Sequence, residues 1–540
     1  MPSSNGWSSF TPGFTSSLSF HASSESPVPL KSKSAVFGNS TAGFSGAGGA
    51  GSFRRESSQK FPPRETAANV QAMMSSFGRF MAPSVEPGTS DASGILHLPA
   101  PVADGRARGM KHAPIPVELF KNNRDRLRTM LPEKSLVIVN ANDIPATNAD
   151  GSLIPVPNSD LFYLTGVAQE ESILVIAPNA HEEKHREMLF LRETNDTIKV
   201  WEGHKHTKDE AKKLTGIERI HWLSEFPVLL RRLMCESDHV FLNSNEHARA
   251  DIVAESREAR FVRETIAAWP LHTYHRLARL MQELRPVKSE HEIKLLKEAC
   301  AITRDAFARV LKLVQPGVSE PDVEAEFAHE FIRRRGRFAY NPIIASGANA
   351  NALHYNDNNQ VCKKGELLLL DVAASYANYN ADLTRTIPVS GKFTKRQKEV
   401  YHAVLRVMRG CIAALKPGKF PKDWQKEAEK MMEEELLKLK LITPREIKKA
   451  EKADPDKPAL KKYFMHGVGH PLGLDVHDVS NIGTPFAAGW VMTVEPGIYL
   501  PKEGFGVRLE NDVLITRDGV VDLMADIPVE PEEIERLMRK

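Results

Sequence analysis

Leu367-Leu-Leu-Leu-Asp371-Val-Ala-Ala-Ser-Tyr376-Ala-Asn-Tyr-Asn380-Ala-Asp382 sets two opposing demands on one short piece of chain. Its apolar start predicts a buried strand over 366–371, yet that strand ends on a carboxylate. Burying a carboxylate costs several kcal/mol unless it is paired or holds a cation. Tyr376–Asn380 has turn chemistry. An antiparallel return across it brings Asp382 back beside Asp371. Two bare carboxylates at that range repel unless a proton or a cation lies between them. Read singly, each Asp also suits a turn or a helix cap.

Further along stands His466-Gly-Val-Gly-His470-Pro-Leu-Gly-Leu-Asp-Val-His477, three histidines in twelve residues with three glycines between them. The Gly and Pro residues exclude a helix, so His466 and His470 are not a helical zinc-binding pair. A turn that lets imidazoles from neighbouring strands converge fits better. Thr493-Val-Glu495-Pro-Gly places Glu495 after an apolar strand, and Arg508-Leu-Glu510-Asn-Asp places Glu510 within another, on the face of Arg508. Asp371, Asp382, His470, Glu495 and Glu510 form an oxygen-rich set with one imidazole and no thiolate. That set suits a pair of hard or borderline divalent cations rather than structural zinc. Two ions about 3.5–4 Å apart lower the pKa of water and polarise a carbonyl.

The rest of the chain predicts an α/β (α+β) architecture. A helix near Val117–Met130 leads to strands at 135–139, 173–176 and 188–191, then a helix near 227–234 and a strand at 240–242. Helices follow near 274–284 and 290–313, the second opened by a Ser289/Glu292 capping box. A further helix runs from Ser319 to Arg335. Strands at 383–389, 490–494 and 507–516 alternate with charged helices near 395–415 and 423–439. Lys448–Lys462 reads as a solvated helical face broken at Asp454-Pro455.

The 540 residues allow two or three domains. Lys and Arg total 72 against 69 Asp and Glu, a net charge of +3, which gives no reason to expect nucleic acid as a partner. No apolar run reaches the roughly 20 residues needed to span a bilayer. Four scattered cysteines without a C-x-x-C pair argue against a disulfide framework and for a reducing compartment. The first sixty residues hold 17 Ser, a Gly cluster from Gly46 to Gly51, and only Glu25 and Glu56 as acids. Residues 1–110 therefore read as a disordered extension. An organelle-targeting peptide is the alternative, but no Lys or Arg precedes Lys31, and Met110 offers another start. The expected location is cytoplasmic.

His354, Asp371-x10-Asp382-Leu-Thr-Arg, His466-x3-His470-x6-His477, Glu495-Pro-Gly and Arg508-x-Glu510 together resemble the metallopeptidase family of Xaa-Pro aminopeptidase, prolidase and methionine aminopeptidase. Asn158-Ser-Asp-Leu-Phe-Tyr-Leu-Thr-Gly166 is similar to the amino-terminal part of aminopeptidase P. The resemblance implies a creatinase-like α/β domain over 111–283 and a pita-bread catalytic domain over 284–540. It implies two divalent ions, manganese as the usual ion, with Asp371 on one, His470 and Glu495 on the other, and Asp382 and Glu510 bridging. A metal-bridging hydroxide would attack the carbonyl before proline while Glu495 handles the proton. His354 and His477 would contact substrate, His466 would line the proline pocket, and Arg508 and Tyr499 would orient ligands and substrate. Ala373 departs from the glycine common there. Trp201-Glu-Gly-His resembles a segment that reaches a neighbouring subunit, which implies a homodimer or homotetramer.

The activity so implied is release of the first residue from proline-containing peptides, with no nucleic-acid or membrane partner. A dipeptidase acting on Xaa-Pro is the nearest alternative. A non-catalytic binding module on the same fold is a remoter one, since such relatives lose ligands that are all present here.

Overall fold

The computed structural model describes residues 112–539 except 248, 251–253, 456 and 482. The expected Ser/Gly-rich extension 1–110 lies outside the described residues.

Strands β1 (Ser135–Asn140), β2 (Ile173–Ile176), β3 (Glu187–Leu191), β4 (Ile220–Trp222), β5 (His239–Leu242) and β6 (Thr273–Arg276) form one mixed sheet in the order β4-β3-β2-β1-β5-β6. β1 runs antiparallel to β2 and parallel to β5. Its apolar run is continuous because both faces are covered. Val137 and Val139 pack on one side with Leu174, Ile176, Leu189 and Leu191, whereas Leu136 and Ile138 pack on the other with Val175, Met188 and Phe190. Tyr274 belongs to β6, so the helix expected from there begins only at Leu277 and runs to Leu284. Thr273–Arg276 pair in register with β5 before the amphipathic spacing begins.

The second half is built from β7 (Arg337–Phe338), β8 (Ile343–Ser346), β9 (Leu367–Asp371), β10 (Ala374–Tyr376), β11 (Tyr379–Asn380), β12 (Thr384–Pro388), β13 (Val491–Val494), β14 (Gly497–Leu500), β15 (Phe505–Arg508), β16 (Asn511–Ile515) and β17 (Val520–Asp522). β9 sits between β8 and β12, antiparallel to both, and Asp371 faces Thr384 in register. The return is a two-residue hairpin, with Tyr376 paired to Tyr379 across Ala377 and Asn378. Both turn residues have positive φ, +50° and +69°, the backbone twist that a tight hairpin needs. Helices Glu290–Leu313, Lys395–Ala414 and Pro421–Lys438 supply the core behind these strands. The expected capping box opens the first: the Ser289 N–H donates to Glu292 Oε2 at 2.8 Å, and the Glu292 N–H to Ser289 Oγ at 3.4 Å.

The run 507–516 is two strands, not one. β15 pairs with β14, and β16 pairs with β13 and β17. Between them the Leu509 N–H turns to the Pro496 carbonyl and the Glu510 N–H to the Thr384 carbonyl. Glu510 therefore lies in a break that joins two sheets, not within a strand. The break carries its side chain toward Thr384. No described helix is long and apolar enough to cross a membrane. All four cysteines are free of disulfides.

Candidate metal centre

Donor atoms of Asp382, His470 and Glu510 all lie within 4.8 Å of one another. Each arrives from a different element: Asp382 just before β12, His470 from the glycine-rich segment, Glu510 from the β15–β16 break. Gly469 is needed for the approach, because a Cβ there would stand 2.0 Å from the Thr493 carbonyl oxygen. The Asp382 N–H donates to Asp512 Oδ2 at 3.0 Å, and Thr384 Oγ1 donates to Glu510 Oε2 at 2.7 Å.

His470 Nδ1 lies 3.0 Å from the Pro471 carbonyl, which can only accept, so Nδ1 carries its hydrogen. Nε2 is left facing carboxylates, 3.5 Å from Asp382 Oδ2 and 3.8 Å from Glu495 Oε1. A bare imidazole lone pair among carboxylate oxygens is repelled. In the protein alone a proton answers that repulsion: burial opposes charge on His470, but the Asp382 hydrogen bond and the Glu495 field outweigh it and hold its pKa above the usual range. Glu495 is pushed up to about 7, mainly by burial, and Glu510 is pushed well up by burial and by Asp382. Burial is the largest cause of the two carboxyl shifts, and the neighbouring carboxylates add to both. The donor set therefore fits divalent cations, and it offers the oxygen and imidazole ligands that such ions take.

Asp371 sits at the side of this cluster with both oxygens engaged. Tyr340 donates to Oδ1 and Arg508 Nη2 to Oδ2, each at 2.6 Å. Burial raises its pKa while Arg508 opposes the rise. Arg508 itself is buried. Burial works against its charge, but Tyr499 and Asp371 keep it protonated. It also donates to Tyr499 Oη at 2.8 Å and to Thr384 Oγ1 at 3.2 Å. Tyr499 Oη lies 2.8 Å from His466 Nε2, and His466 Nδ1 lies 2.7 Å from the Gly467 carbonyl. Nδ1 is thus the donor, and the Tyr499 hydroxyl donates to Nε2. Burial and the Arg508 charge press the His466 pKa down to about 3, so the ring is neutral. Burial moves Tyr499 up to about 12.

The His477 ring stands edge-on to His470 with centroids 4.3 Å apart, and burial with the His470 charge lowers its pKa to about 3. Arg249 Nη1 lies 3.4 Å from its Nε2. His354 is exposed in a turn after Asn351, near enough for its field to act on His466. Sequence reasoning missed Tyr340, Thr384, Asp512 and Arg249. Thr384 and Asp512 at least lay inside the quoted segments, beside Asp382 and Glu510.

Two family models match the chain: metallopeptidase family M24 over residues 294–517 and the aminopeptidase P N-terminal domain over residues 120–241. The Xaa-Pro aminopeptidase of Escherichia coli (strain K12) is 33% identical over 445 residues, covering 78% of this chain and 97% of the relative. The mitochondrial intermediate cleaving peptidase 55 of Arabidopsis thaliana is 28% identical over 442 residues, covering 78% and 83%. A solved structure of zinc-substituted E. coli aminopeptidase P in complex with product superposes with a TM-score of 0.70 at 32% identity, covering 79% of this chain and all of that one (100%). The fold and the cation-fitted donor set are those of a metallo-exopeptidase, and the chain belongs to the M24 metallopeptidase family. Within that family it has the two-domain aminopeptidase P architecture, an amino-terminal α/β domain followed by a pita-bread domain.

Proposed function

We propose that this protein is an Xaa-Pro aminopeptidase, releasing the first residue of peptides that carry proline second, with two Mn²⁺ ions held by Asp371, Asp382, His470, Glu495 and Glu510. The observation that carries this is the His470 Nε2 lone pair facing Asp382 and Glu495, with Glu510 in ligand range. Bound ions would supply Lewis acidity, polarising the substrate carbonyl and making water acidic near neutral pH.

The chain's own groups do the rest. Glu495 takes the proton of the attacking water at Oε and returns it to the leaving nitrogen. His354 and His477 supply hydrogen bonds to the developing oxyanion and the leaving group. His466 lines the proline pocket, its ring set edge-on to that of Tyr499. The Tyr499 hydroxyl keeps His466 in its neutral tautomer, and Arg508 fixes Asp371. An Xaa-Pro bond is a tertiary amide with no N–H. A site that acts through the carbonyl and grips the ring avoids needing that donor.

The same reading divides the chain at about residue 283, with 111–283 as the amino-terminal domain and 284–540 as the catalytic one. Trp201 and Val200, 82% and 79% exposed, support a homodimer or homotetramer in which this segment is covered. Light scattering of the purified protein tests that. The location is read as cytoplasmic, and cell fractionation tests it against the mitochondrial setting in the plant relative's name.

The activity is tested with Mn²⁺-loaded protein on Arg-Pro-Pro and on Arg-Pro. Release of Arg from the tripeptide is the expected result. Cleavage of the dipeptide alone would make the protein a prolidase. No turnover of either, together with no bound metal, would leave a binding module.

A further inference from the structure

The connection between helices Asp196–Glu202 and Lys208–Thr215 holds a second cluster of cation ligands, away from the centre described above. Donor atoms of His204, His206 and Glu210 lie within 4.8 Å of one another. The local sequence explains why. Gly203, at φ +79°, ends the first helix, and the chain continues without helical pitch. In such a stretch, residues two apart point the same way. His204 and His206 accordingly share a side, with ring centroids 6.2 Å apart at 86°, while Lys205 between them pairs with Glu170.

Each ligand is already held. The His206 N–H donates to Gln169 Oε1 at 2.8 Å, which pins that residue to the chain before β2. Glu210 Oε2 accepts from the Thr207 N–H at 2.8 Å in a capping box, and His204 Nε2 lies 3.1 Å from the same oxygen. Two ligands of a tetrahedral ion at about 2.0–2.1 Å stand roughly 3.3–3.4 Å apart, so the His204–Glu210 pair, at 3.1 Å, needs to open by only a few tenths of an ångström, with Glu210 Oε2 still capped by Thr207. A small rotation of the half-buried His206 ring brings in the third donor. Two imidazoles and one carboxylate make a borderline donor set, the kind that takes zinc rather than Mg²⁺ or Ca²⁺.

We propose that His204, His206 and Glu210 form a second divalent-cation site that takes zinc in preference to Mg²⁺ or Ca²⁺. Its ion clamps the joint between the two helices and so fixes the short helix that carries Trp201. This site is independent of the peptidase assignment.

The test strips the full-length protein with a chelator, dialyses it against Zn²⁺ and counts bound zinc by mass spectrometry. Four proteins are compared: wild type, the His204→Asn/His206→Asn double variant, Glu210→Gln, and the catalytic-centre variant Asp382→Asn. The double variant and Glu210→Gln should bind one equivalent fewer than wild type, while Asp382→Asn should retain that equivalent. Zn²⁺ should also slow tryptic cleavage after Lys199 and Lys205 at least tenfold in wild type and Asp382→Asn, but not in the double variant. Equal zinc counts in wild type and the double variant would overturn the proposal. So would loss of this equivalent in Asp382→Asn alone. The substituted positions are exposed or half-buried, so circular dichroism of the double variant confirms its fold independently of the count.

Discussion

Tyr499 bridges two groups through one oxygen, accepting from Arg508 and donating to His466. Tyr499→Phe keeps the ring packing and removes both hydrogen bonds. It frees the His466 tautomer and loosens the guanidinium that holds Asp371. We expect kcat/KM on Arg-Pro-Pro to fall about 10–100-fold, equivalent to about 1.4–2.7 kcal/mol, with bound metal unchanged. Wild-type turnover in the variant would remove Tyr499 from the proposed machinery. Gly469→Ala acts differently, since its new Cβ meets the Thr493 carbonyl oxygen. The backbone must move, and His470 moves with it. Metal content measured after dialysis should drop, with at least a 100-fold loss of activity. The glycine spacing of this segment made His470 readable from sequence. The same holds for Asp371 and Asp382, which offend strand logic by ending or following an apolar run. Tyr340 and Asp512 were not readable. Tyr340 comes from a loop without pattern, and Asp512 looks like an ordinary polar neighbour of Glu510 until β16 lies beside the Asp382 backbone.

Helix Arg257–Ala268 illustrates what periodicity left out. It was not anticipated, because its buried positions include a carboxylate: Glu258 accepts hydrogen bonds from the Asn140 N–H at 3.0 Å and from Asn140 Nδ2 at 3.2 Å at the end of β1. Strands with both faces covered, such as β1 and β9, announce themselves by unbroken apolar runs. A helix whose tie to the sheet is polar does not. The strand break at Glu510 was hidden for a related reason, since the apolar pattern runs on through it while the hydrogen bonds change partners. Glu258 gives this helix a pH signature. Burial pushes its carboxyl up to about 8, the Asn140 hydrogen bonds oppose the rise, Asp160 adds to it, and Arg257 lowers it slightly. A carboxyl with a raised folded pKa contributes most below its unfolded value near 4.5, and that contribution is lost as pH rises through about 8. Across that window each pH unit removes about 1.4 kcal/mol. Glu258→Gln keeps an acceptor for the Asn140 N–H without the titration. Thermal melts from pH 6 to 8.5 should therefore fall less steeply for the variant, which should be the more stable protein at pH 8.5. Parallel curves for the two proteins would show that Glu258 is not the titrating group.

Four carboxylates, Asp371, Asp382, Glu495 and Glu510, converge in a space where the buried Arg508 pairs with Asp371 and the buried Arg385 reaches the Glu510 backbone carbonyl. The surrounding apolar core, from Phe307 and Phe327 through Leu370 to Val507 and Ile515, does not depend on that site for its burial. Stability should therefore separate into two parts. Stripping the ions should leave a folded chain, with far-ultraviolet circular dichroism intact, because the core remains. It should also lower the melting temperature, because the native state loses its counter-charges and the binding free energy of the ions. At free Mn²⁺ one hundred times the dissociation constant, each site contributes about 2.7 kcal/mol. Scanning calorimetry of chelated and Mn²⁺-restored protein should show a reversible rise of a few degrees that scales with the logarithm of free Mn²⁺. Asp382→Asn takes one carboxylate out of the cluster and weakens cation binding at once. Its melting temperature should exceed that of stripped wild type and respond little to Mn²⁺. A variant that still gained the full increment would show that the ions stabilise the protein elsewhere, and Asp382 would lose its place as a ligand.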